Sequence, residues 1–455
     1  MRQQLPLLIG AGVLTAATVA APAATAQAAS PIKHIVVIYE ENHSFDSLLG
    51  FWCDANPGRC PDGGMPAQVT LADGATVTPS VAPDIVPQVK HTVESQQLAL
   101  ANKWDQIQGC AAPGYACISG YQPAQEPNLI SLATTFAIND HTFSQQDSPS
   151  FGGHIYAVAS NLDGFTGDNP PPFSTGPGRG WGCDSDKTIT WGPVGKQVPS
   201  CVPDPRLPLP NGGAFEPTPV HHEATIMDTL AAAGLPWKIY GANCSTATVN
   251  PQGLSLCQTA QRGYQWNVCA LFAKCLYGPQ QDASNASFIT DANTGTLPAF
   301  SLVTPGNAGN SEHNGFSMAT GDNYIGNLVS AVMNGPDWGS TAIFLTWDDC
   351  GCFYDQVAPG LNPNGSQQGP RVPLVVVSPF AKPGFTDTTA ATFASILAFT
   401  EHTFGLAPLG VNDGQAYDLS GLFSFAQRHL HTVPMIREHK PAGEHVAWAQ
   451  GKQDT

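Results

Sequence analysis

Short runs of apolar residues recur along the chain and predict buried strands. The first is Ile35–Tyr39, rich in Val and Ile, and a second is "TAIFLTW" at residues 341–347. Further runs are "WKIY" at 237–240, "AFSLV" at 299–303 and "VPLVVV" at 372–377. Unbroken apolar runs of this length are typical of strands that are covered on both faces.

Segments with helical spacing of apolar residues lie between these runs. Residues Thr225–Ala233 predict a helix that ends at Gly234, and "YIGNLVSAVMN" at 324–334 predicts another that stops at Gly335-Pro336. "GGHIYAVASNL" at 152–162 and "FASILAFTEHTFGL" at 393–406 show the same periodicity. This alternation predicts an α/β fold with a mostly parallel central sheet and helices on both faces.

The N-terminus indicates export. Arg2 precedes a long Ala-rich apolar run, and Ala26-Gln27-Ala28 fits a small-x-small cleavage site. A membrane anchor is the alternative, but Pro22 interrupts the run and no basic flank follows it. We therefore expect a cleaved signal peptide at residues 1–28, one large domain at 29–432, a polar tail at 433–455 and a secreted product. No later segment is apolar over the length that a bilayer span needs, so we expect no stable membrane insertion.

Composition narrows the class of partner. Of the 455 residues, 42% are hydrophobic and only 12% are charged, which permits a sizeable core. The formal net charge of −17 lacks the basic footprint of a nucleic-acid-binding protein and disfavours non-specific binding to anionic membranes. We expect a monomer that has no nucleic-acid partner.

The cysteines predict disulfide-stapled loops. Their number is 12, which is even, and an exported chain with an even number favours disulfides over a zinc site, for which the C-x-x-C spacing is missing. Long loops rich in Pro and Gly at 57–87 and 169–219 contain several of them. Pairing in sequence order would join Cys53 to Cys60, Cys110 to Cys117, Cys183 to Cys201, Cys244 to Cys257, Cys269 to Cys275 and Cys350 to Cys352. The last pair would close a very tight loop.

Two of the predicted strands end in acidic clusters. Glu40, Glu41 and Asn42 follow the first strand, and Asp348 and Asp349 follow the run at 341–347. In an open α/β sheet, ligands bind at the carboxyl ends of the strands, and several oxygen donors there suit a divalent cation. Polar turn and cap residues are the alternative interpretation of each pair alone. The residue types do not identify which metal would bind, and calcium, magnesium, manganese and zinc all stay open.

A serine and a histidine add a possible reaction. Ser150 precedes Gly152-Gly153 and a predicted helix, where a hydroxyl could attack a phosphate or could simply cap the helix. His313, in "NSEHNG", follows the strand at 299–303 and is a candidate leaving-group acid or phosphate contact.

Several motifs together resemble a known family. These are "IKHIVVIYEENHSFDSLLG", "NDHTFSQQDSPSFGGHIYAVAS", "TIMDTLAAAGLPWKIY", the block from "NSEHNG" to "DDCGCFYDQVAPG", "GPRVPLVVVSPFAKPG" and "SILAFTEHTFGL". In this order they are similar to the bacterial phosphoesterase family of phospholipases C and acid phosphatases, within the alkaline phosphatase superfamily. The resemblance covers roughly Lys33 to Leu406 and implies an alkaline-phosphatase-like architecture.

The resemblance also implies a function and roles for residues. It implies a secreted metal-dependent phosphoesterase that acts on phosphate esters or phospholipids through a phosphoserine. By this resemblance the metal ligands are Glu41, Asn42, Asp348 and Asp349, the nucleophile is Ser150, and the active-site histidines are His91, His154 and His313.

The chain departs from the family pattern in two places. The usual D-D-x-G-G-x-Y-D-H-V has Cys352 for its second glycine and Gln356 for its histidine, and an Asp-His pair near the end is replaced by Thr392 and Phe393. These changes put activity on choline phospholipids in doubt. A non-catalytic secreted binding protein on the same fold is the alternative function. A serine esterase is disfavoured because "PSFGG" does not match G-x-S-x-G.

Overall fold

The computed structural model describes most of the predicted domain. The described residues are 30–162, 167–169, 224–242, 267–272, 282–306 and 310–439, the single positions Met1, Phe165 and Cys275, and the backbone of 188–191 and 196–199. The predicted signal peptide after Met1, the cysteine pairs Cys183/Cys201 and Cys244/Cys257, and residues 440–455 of the predicted tail lie outside them.

The strands are mostly short. In chain order they are β1 (His34–Glu40), β2 (Val69–Thr70), β3 (Thr76–Val77), β4 (Ser80–Val81), β5 (Ser119–Gly120), β6 (Ala137–Asn139), β7 (Thr142–Phe143), β8 (Thr188–Trp191), β9 (Lys196–Pro199), β10 (Trp237–Ala242), β11 (Asp282–Ser284), β12 (Phe300–Val303), β13 (Thr341–Trp347), β14 (Leu374–Val377), β15 (Thr386–Asp387) and β16 (Ala391–Thr392).

Eight strands form the central sheet, in the spatial order β11-β10-β12-β1-β13-β14-β6-β15. Within this sheet β14 runs antiparallel to both neighbours and the other pairings are parallel, which confirms the predicted mostly parallel sheet. Every residue of β12, β13 and β14 is buried, so these central strands are covered on both faces.

Helices connect and cover the strands. They are α1 (Phe45–Ala55), α2 (Val93–Leu100), α3 (Pro127–Thr135), α4 (Ser150–Tyr156), α5 (Ile226–Ala232), α6 (Asn285–Thr294), α7 (Met318–Asn334), α8 (Phe393–Phe404) and α9 (Val411–Gly414). Short 3-10 turns occur at Trp104–Gln106, Pro123–Gln125, Val268–Leu271, Trp338–Ser340 and Ser420–Leu422. Among the described residues, no helix combines the length and apolar composition needed to cross a bilayer.

Local chemistry explains where the predicted helices begin and end. The Thr225 side chain accepts from the backbone of Asp228, whose carboxylate accepts from the Thr225 backbone in return, so α5 begins with a capping box. Gly405, with φ +66°, ends α8 in the left-handed region. These ends agree with the predicted helices at 225–233 and 393–406 to within two residues.

The described cysteines follow the predicted pairing with one exception. Disulfides join Cys53 to Cys60, Cys110 to Cys117 and Cys269 to Cys275. The predicted Cys350–Cys352 pair is wrong, because both residues are buried free thiols. The Cys352 backbone N–H donates to Cys350 Sγ at 3.1 Å, in a turn too tight for disulfide geometry to be favoured.

A buried arginine holds three distant segments together. Arg371 bonds the Asp46 carboxylate at 2.8 Å and the Asp355 carboxylate at 2.9 Å, and it donates to the Asp140 carbonyl. Its guanidinium also lies 4.2 Å from the centre of the Phe45 ring. These contacts fix the start of α1 and the loop after β13, the two segments that follow the acidic strand ends.

The segment that follows the last helices is hydrogen-bonded to two earlier helices, α3 and α7. The backbone N–H groups of Ile436 and Glu438 donate to the side-chain oxygens of Asn128 in α3 and Asn323 in α7. The same two asparagines donate back to the carbonyls of Ile436 and Glu438. The first residues of the predicted tail therefore lie along the helices rather than free of them.

Replacing Arg371 by Met should destabilise the fold strongly. The change leaves Asp46 and Asp355 buried without their cation, a loss of about 3–5 kcal/mol in the free energy of unfolding. Urea unfolding of wild type and of Arg371→Met measures this loss of stability. Lys382→Met is the control, because Lys382 is half-buried over Phe385 and we expect a loss of at most about 1 kcal/mol. Equal stability of Arg371→Met and wild type would contradict the assigned role.

Candidate active site

The acidic ends of two strands meet because the strands are neighbours. β1 and β13 pair in parallel with Glu40 opposite Trp347, and the Asp348 N–H donates to the Glu40 carbonyl at 3.0 Å. The next residues, Glu41 and Asp348, therefore leave the sheet side by side at its carboxyl edge. The structure brings together the two pairs that the sequence showed only as separate strand ends.

A histidine joins the carboxylates. His154 Nε2 lies 2.6 Å from Glu41 Oε1 and 3.8 Å from Asp348 Oδ2, and all three side chains are fully buried. Their ligand atoms lie within 4.8 Å of one another, a spacing that can hold one metal ion. The resemblance implied an active-site role for His154, and the structure makes it a candidate metal ligand as well.

Asn42 lies between the carboxylates and two histidines. Its backbone is left-handed, with φ +58°, and its backbone N–H donates to Asp348 Oδ1 at 2.9 Å. The Asn42 side-chain atom Oδ1 lies 2.9 to 3.2 Å from the carboxylate oxygens of Asp348 and Glu41. The other end, Nδ2, is 2.9 Å from Nε2 of both His91 and His313.

The two histidines determine which way the Asn42 amide points. His91 Nδ1 lies 2.9 Å from the Val89 carbonyl and His313 Nδ1 lies 2.9 Å from the Asn314 carbonyl. A carbonyl can only accept, so each Nδ1 carries the proton and each Nε2 presents a lone pair. The two hydrogens of Asn42 Nδ2 satisfy these two lone pairs. Oδ1 must then face the carboxylates, where either a bound cation or a proton on one carboxyl makes the contact favourable.

Ser150 faces the same cluster. It is the first residue of α4 and is buried, and its Oγ lies 3.3 Å from Asn42 Oδ1. Burial raises the pKa of Asp348 and of Asp349, and the Ser150 hydroxyl offsets part of each rise. Asp349 Oδ1 accepts from the Gly351 N–H, while its buried Oδ2 has no hydrogen-bond partner among the described residues.

Burial and like charge dominate the electrostatics. Burial, with Asp349 as neighbour, raises the pKa of Asp348 to about 8, and burial raises the pKa of Asp349 to about 7. Burial and the charges of Asp348 and Asp349 raise the pKa of Glu41 well above its usual range. Burial lowers the pKa of His154 to about 3, so the cluster contains no cationic side chain to balance its carboxylates.

The donor set fits a divalent cation. Glu41, Asp348, Asp349 and the Asn42 amide supply oxygens, and His154 supplies a nitrogen. The orphaned Asp349 oxygen and the inward-facing Asn42 oxygen are the two groups that such an ion would satisfy. Carboxylates with one imidazole suit manganese or zinc as well as calcium and magnesium.

Two residues that pack this site, Tyr39 and Gly153, had no role predicted from the sequence. Tyr39 Oη donates to the Gly153 carbonyl at 2.8 Å, and its ring stands edge-on to His154 at 5.3 Å between centroids. A Cβ on Gly153 would lie 2.8 Å from the Asp348 carbonyl oxygen, so only glycine allows α4 to approach this closely. The sequence signal that could have indicated a role for Tyr39 is its position, because it is the last apolar residue before the acidic cluster.

The solved structures that match this chain do so at low identity and low TM-score. One is a protein in the alkaline phosphatase superfamily from Vibrio parahaemolyticus, with 11% identity and a TM-score of 0.36, covering 86% of this chain and 70% of that chain. Another is a protein of Bacteroides thetaiotaomicron from work on the metabolism of glycosaminoglycans, with 12% identity and a TM-score of 0.40, covering 88% of this chain and 78% of that chain.

Relatives by sequence are named phospholipases C. Non-specific phospholipase C6 of Arabidopsis thaliana is 24% identical over an alignment of 391 residues, and the match covers 78% of this chain and 63% of the relative. Non-hemolytic phospholipase C of Burkholderia pseudomallei is 29% identical over an alignment of 223 residues, and the match covers 40% of this chain and 32% of the relative. The chain thus spans less than two thirds of the length of both relatives.

The family itself is established by a match over most of the chain. The model of the Phosphoesterase family matches residues 32–407, a range that contains β1, the Ser150 helix, β13 and every proposed ligand. The chain belongs to the Phosphoesterase family.

Proposed function

We propose that this chain is a secreted, metal-dependent phosphoesterase that hydrolyses phosphate esters through a covalent phosphoserine at Ser150. The single observation that carries the proposal is the Asn42 amide, whose oxygen faces the carboxylates of Glu41 and Asp348 while Ser150 Oγ lies 3.3 Å away. A cation bound among these oxygens would lower the pKa of the Ser150 hydroxyl and neutralise charge on a phosphoryl oxygen.

Two displacements at phosphorus make up the reaction. Ser150 releases its hydroxyl proton to water, and Oγ forms a bond to phosphorus as the bond to the alcohol oxygen breaks. The alcohol leaves with a proton taken from water. A second water then attacks phosphorus, the Oγ–P bond breaks, and Ser150 regains a proton as phosphate departs.

His91 and His313 support this chemistry through Asn42. Both are buried and present Nε2 lone pairs to the amide, so they orient its oxygen toward the ligand cluster. Burial, with His91 beside it, lowers the pKa of His313 to about 3, so the imidazole stays neutral and keeps accepting from Asn42. The family resemblance implied that both are active-site histidines, and we propose that they act by positioning Asn42.

The names of the relatives support two substrate classes for the proposed activity, phospholipids and phosphomonoesters. A phospholipase C-like protein would cleave phospholipids, whereas an acid phosphatase-like protein would prefer phosphomonoesters. Metal-loaded protein should be assayed on p-nitrophenyl phosphate, p-nitrophenyl phosphorylcholine and phosphatidylcholine. Turnover of at least one supports the proposal, and the preferred compound assigns the type. A metal-loaded protein inert toward every phosphate ester would favour the non-catalytic binding protein.

Replacing Ser150 by Ala should abolish hydrolysis and leave the protein folded. The side chain loses only its hydroxyl, so we expect a thermal midpoint close to that of wild type and a rate at least about 1,000-fold lower. Acid quench and mass analysis should find a phosphoryl group on the Ser150 peptide of wild type alone. Ser148→Ala is the matched control, a buried serine of the same loop whose Oγ donates to the Pro149 carbonyl. Wild-type turnover in Ser150→Ala would remove Ser150 from the mechanism.

Metal binding should strengthen as the pH rises from 6 to 8. Asp349, with a pKa of about 7, and Asp348, with a pKa of about 8, must lose protons before they can bind a cation. Calorimetric titration with manganese at pH 6, 7 and 8 measures the affinity. In Asp348→Asn the affinity should be lower and its pH dependence shallower.

The same two carboxyls determine whether the metal-free protein gains or loses stability as the pH rises. Their pKa values lie above the usual carboxyl range of about 4, so the folded state binds more protons than the unfolded state. The free energy of unfolding should therefore fall as the pH rises from about 4 to about 8, and excess metal should reverse the fall. A metal affinity that does not change with pH would contradict the assignment of Asp348 and Asp349 as ligands.

A further inference from the structure

A second cluster of side chains that can bind metal lies apart from Ser150. His141 Nε2 is 3.1 Å from Asp62 Oδ2, and His141 Nδ1 is 3.0 Å from Asp140 Oδ1. One ligand atom from each of these three side chains falls within 4.8 Å of those from the other two, a spacing that one ion can bridge. Among the described residues, the group beside Ser150 is the only other one with this spacing.

The sheet places the second cluster at the same edge as the candidate active site. β14 runs antiparallel to both β13 and β6, so β6 runs in the same direction as β13. Asp140 and His141 directly follow β6 and therefore leave the sheet at its carboxyl edge, where α/β sheets bind ligands. Because β6 lies two strands from β13, a separation of about 10 Å, the cluster is distinct from the one beside Ser150.

A proton on His141 would explain only part of this arrangement. An imidazolium would donate to one oxygen of each aspartate. Asp140 Oδ2 would still be buried, and it has no hydrogen-bond partner among the described residues. The guanidinium of Arg371 does not satisfy it, because that group is bonded to Asp46, Asp355 and the carbonyl of Asp140. Buried carboxylate oxygens are nearly always paired, and a cation held by both oxygens of Asp140 would provide the partner.

Both segments that carry the cluster are held in place by other contacts. Asp62 lies two residues after the loop closed by the Cys53–Cys60 disulfide. The carbonyl two residues beyond Asp62 accepts from Gln356 Nε2 at 2.7 Å. The backbone N–H of His141 donates to Asn139 Oδ1 at 3.0 Å. A cation would therefore meet ligands that the fold already positions.

The ligand types and their exposure favour zinc. The exposed fraction of the side chain rises from 1% for Asp140 through 24% for His141 to 39% for Asp62, so one side of the cluster is open to water. Zinc binds imidazole and carboxylate groups and accepts three protein ligands with water as the fourth. Calcium takes about six to eight oxygen ligands, of which two carboxylates supply only a part.

We propose that Asp62, Asp140 and His141 form a second metal site, which binds zinc and joins the loop after α1 to the end of β6. The ion would be structural, because it links two segments that are distant in the sequence. This inference goes beyond the proposed function and does not depend on phosphate-ester hydrolysis.

The first test counts bound zinc in three proteins dialysed against the same zinc solution. We expect His141→Ala to retain one equivalent fewer than wild type, because the variant loses the imidazole ligand. His402→Ala is the matched control, since His402 lies 2.9 Å from an Asp418 oxygen but belongs to no such three-residue group among the described residues. It should retain as much zinc as wild type. The difference between variants does not depend on how much metal the cluster beside Ser150 holds.

Asp62→Asn tests the site without disturbing the core, because Asp62 is at the surface. We expect its zinc affinity at this site to fall at least about 10-fold, since loss of an outer-shell partner alone costs about 10- to 100-fold. Zinc should raise the thermal midpoint of wild type and of His402→Ala by more than that of Asp62→Asn or His141→Ala, because binding to the folded state stabilises it.

A zinc-soaked crystal locates the ion directly. An anomalous peak should lie within bonding distance of a His141 ring nitrogen and of both aspartate carboxylates. A peak that contacts His141 alone, or no peak at this cluster, would overturn the inference. Equal zinc content in wild type and His141→Ala, or the same loss in His402→Ala, would also overturn it.

These outcomes are independent of the proposed function. If wild type hydrolyses no phosphate ester but zinc binds at Asp62, Asp140 and His141, only the proposed function is wrong. If wild type is an active phosphoesterase whose zinc content is unchanged in His141→Ala, only the second metal site is wrong.

Discussion

The amide of Asn42 is the contact on which the rest of the site depends. Two backbone carbonyls fix the tautomers of His91 and His313, and their lone pairs take both hydrogens of the amide nitrogen. The amide oxygen is thereby held against the carboxylates of Glu41 and Asp348. With the carboxyls ionised this contact would be repulsive unless a cation lay among the oxygens, so the hydrogen-bond pattern behind Asn42 favours a metal in front of it.

The fold supplies the convergence that this contact needs. Parallel pairing of β1 with β13 places Glu41 beside Asp348, and the left-handed backbone of Asn42 turns the chain so that its side chain faces back into the cluster. Gly153 lets α4 approach the Asp348 backbone, which brings Ser150 and His154 to the same point. The cluster is thus assembled from three segments that are far apart in the sequence.

The sequence predicted the strands and helices well because their signals are local. Apolar runs such as Ile35–Tyr39 and the helix stops at Gly234 and Gly335 need only neighbouring residues to be interpreted. The pairing of β1 with β13 is not local, so the strand-end positions made the convergence of the two acidic pairs a hypothesis that only the three-dimensional structure could test. The free thiols of Cys350 and Cys352 show the same limit, because an even cysteine count says nothing about the geometry of a tight turn.

Spacing also could not separate acids that hold the fold from acids that form the candidate metal cluster. The block "ENHSFD" contains Glu41 and Asp46, and the block "DDCGCFYD" contains Asp348 and Asp355. In each block one carboxylate joins the cluster beside Ser150 and the other bonds Arg371. Both sets are buried, and both need positive charge. The chain supplies that charge to Asp46 and Asp355 by its own guanidinium and supplies none to the cluster, where His154 is neutral. A side chain that neutralised the cluster would occupy the space that a phosphoryl group and its metal need, so an uncompensated set of carboxylates is what a phosphoesterase site requires.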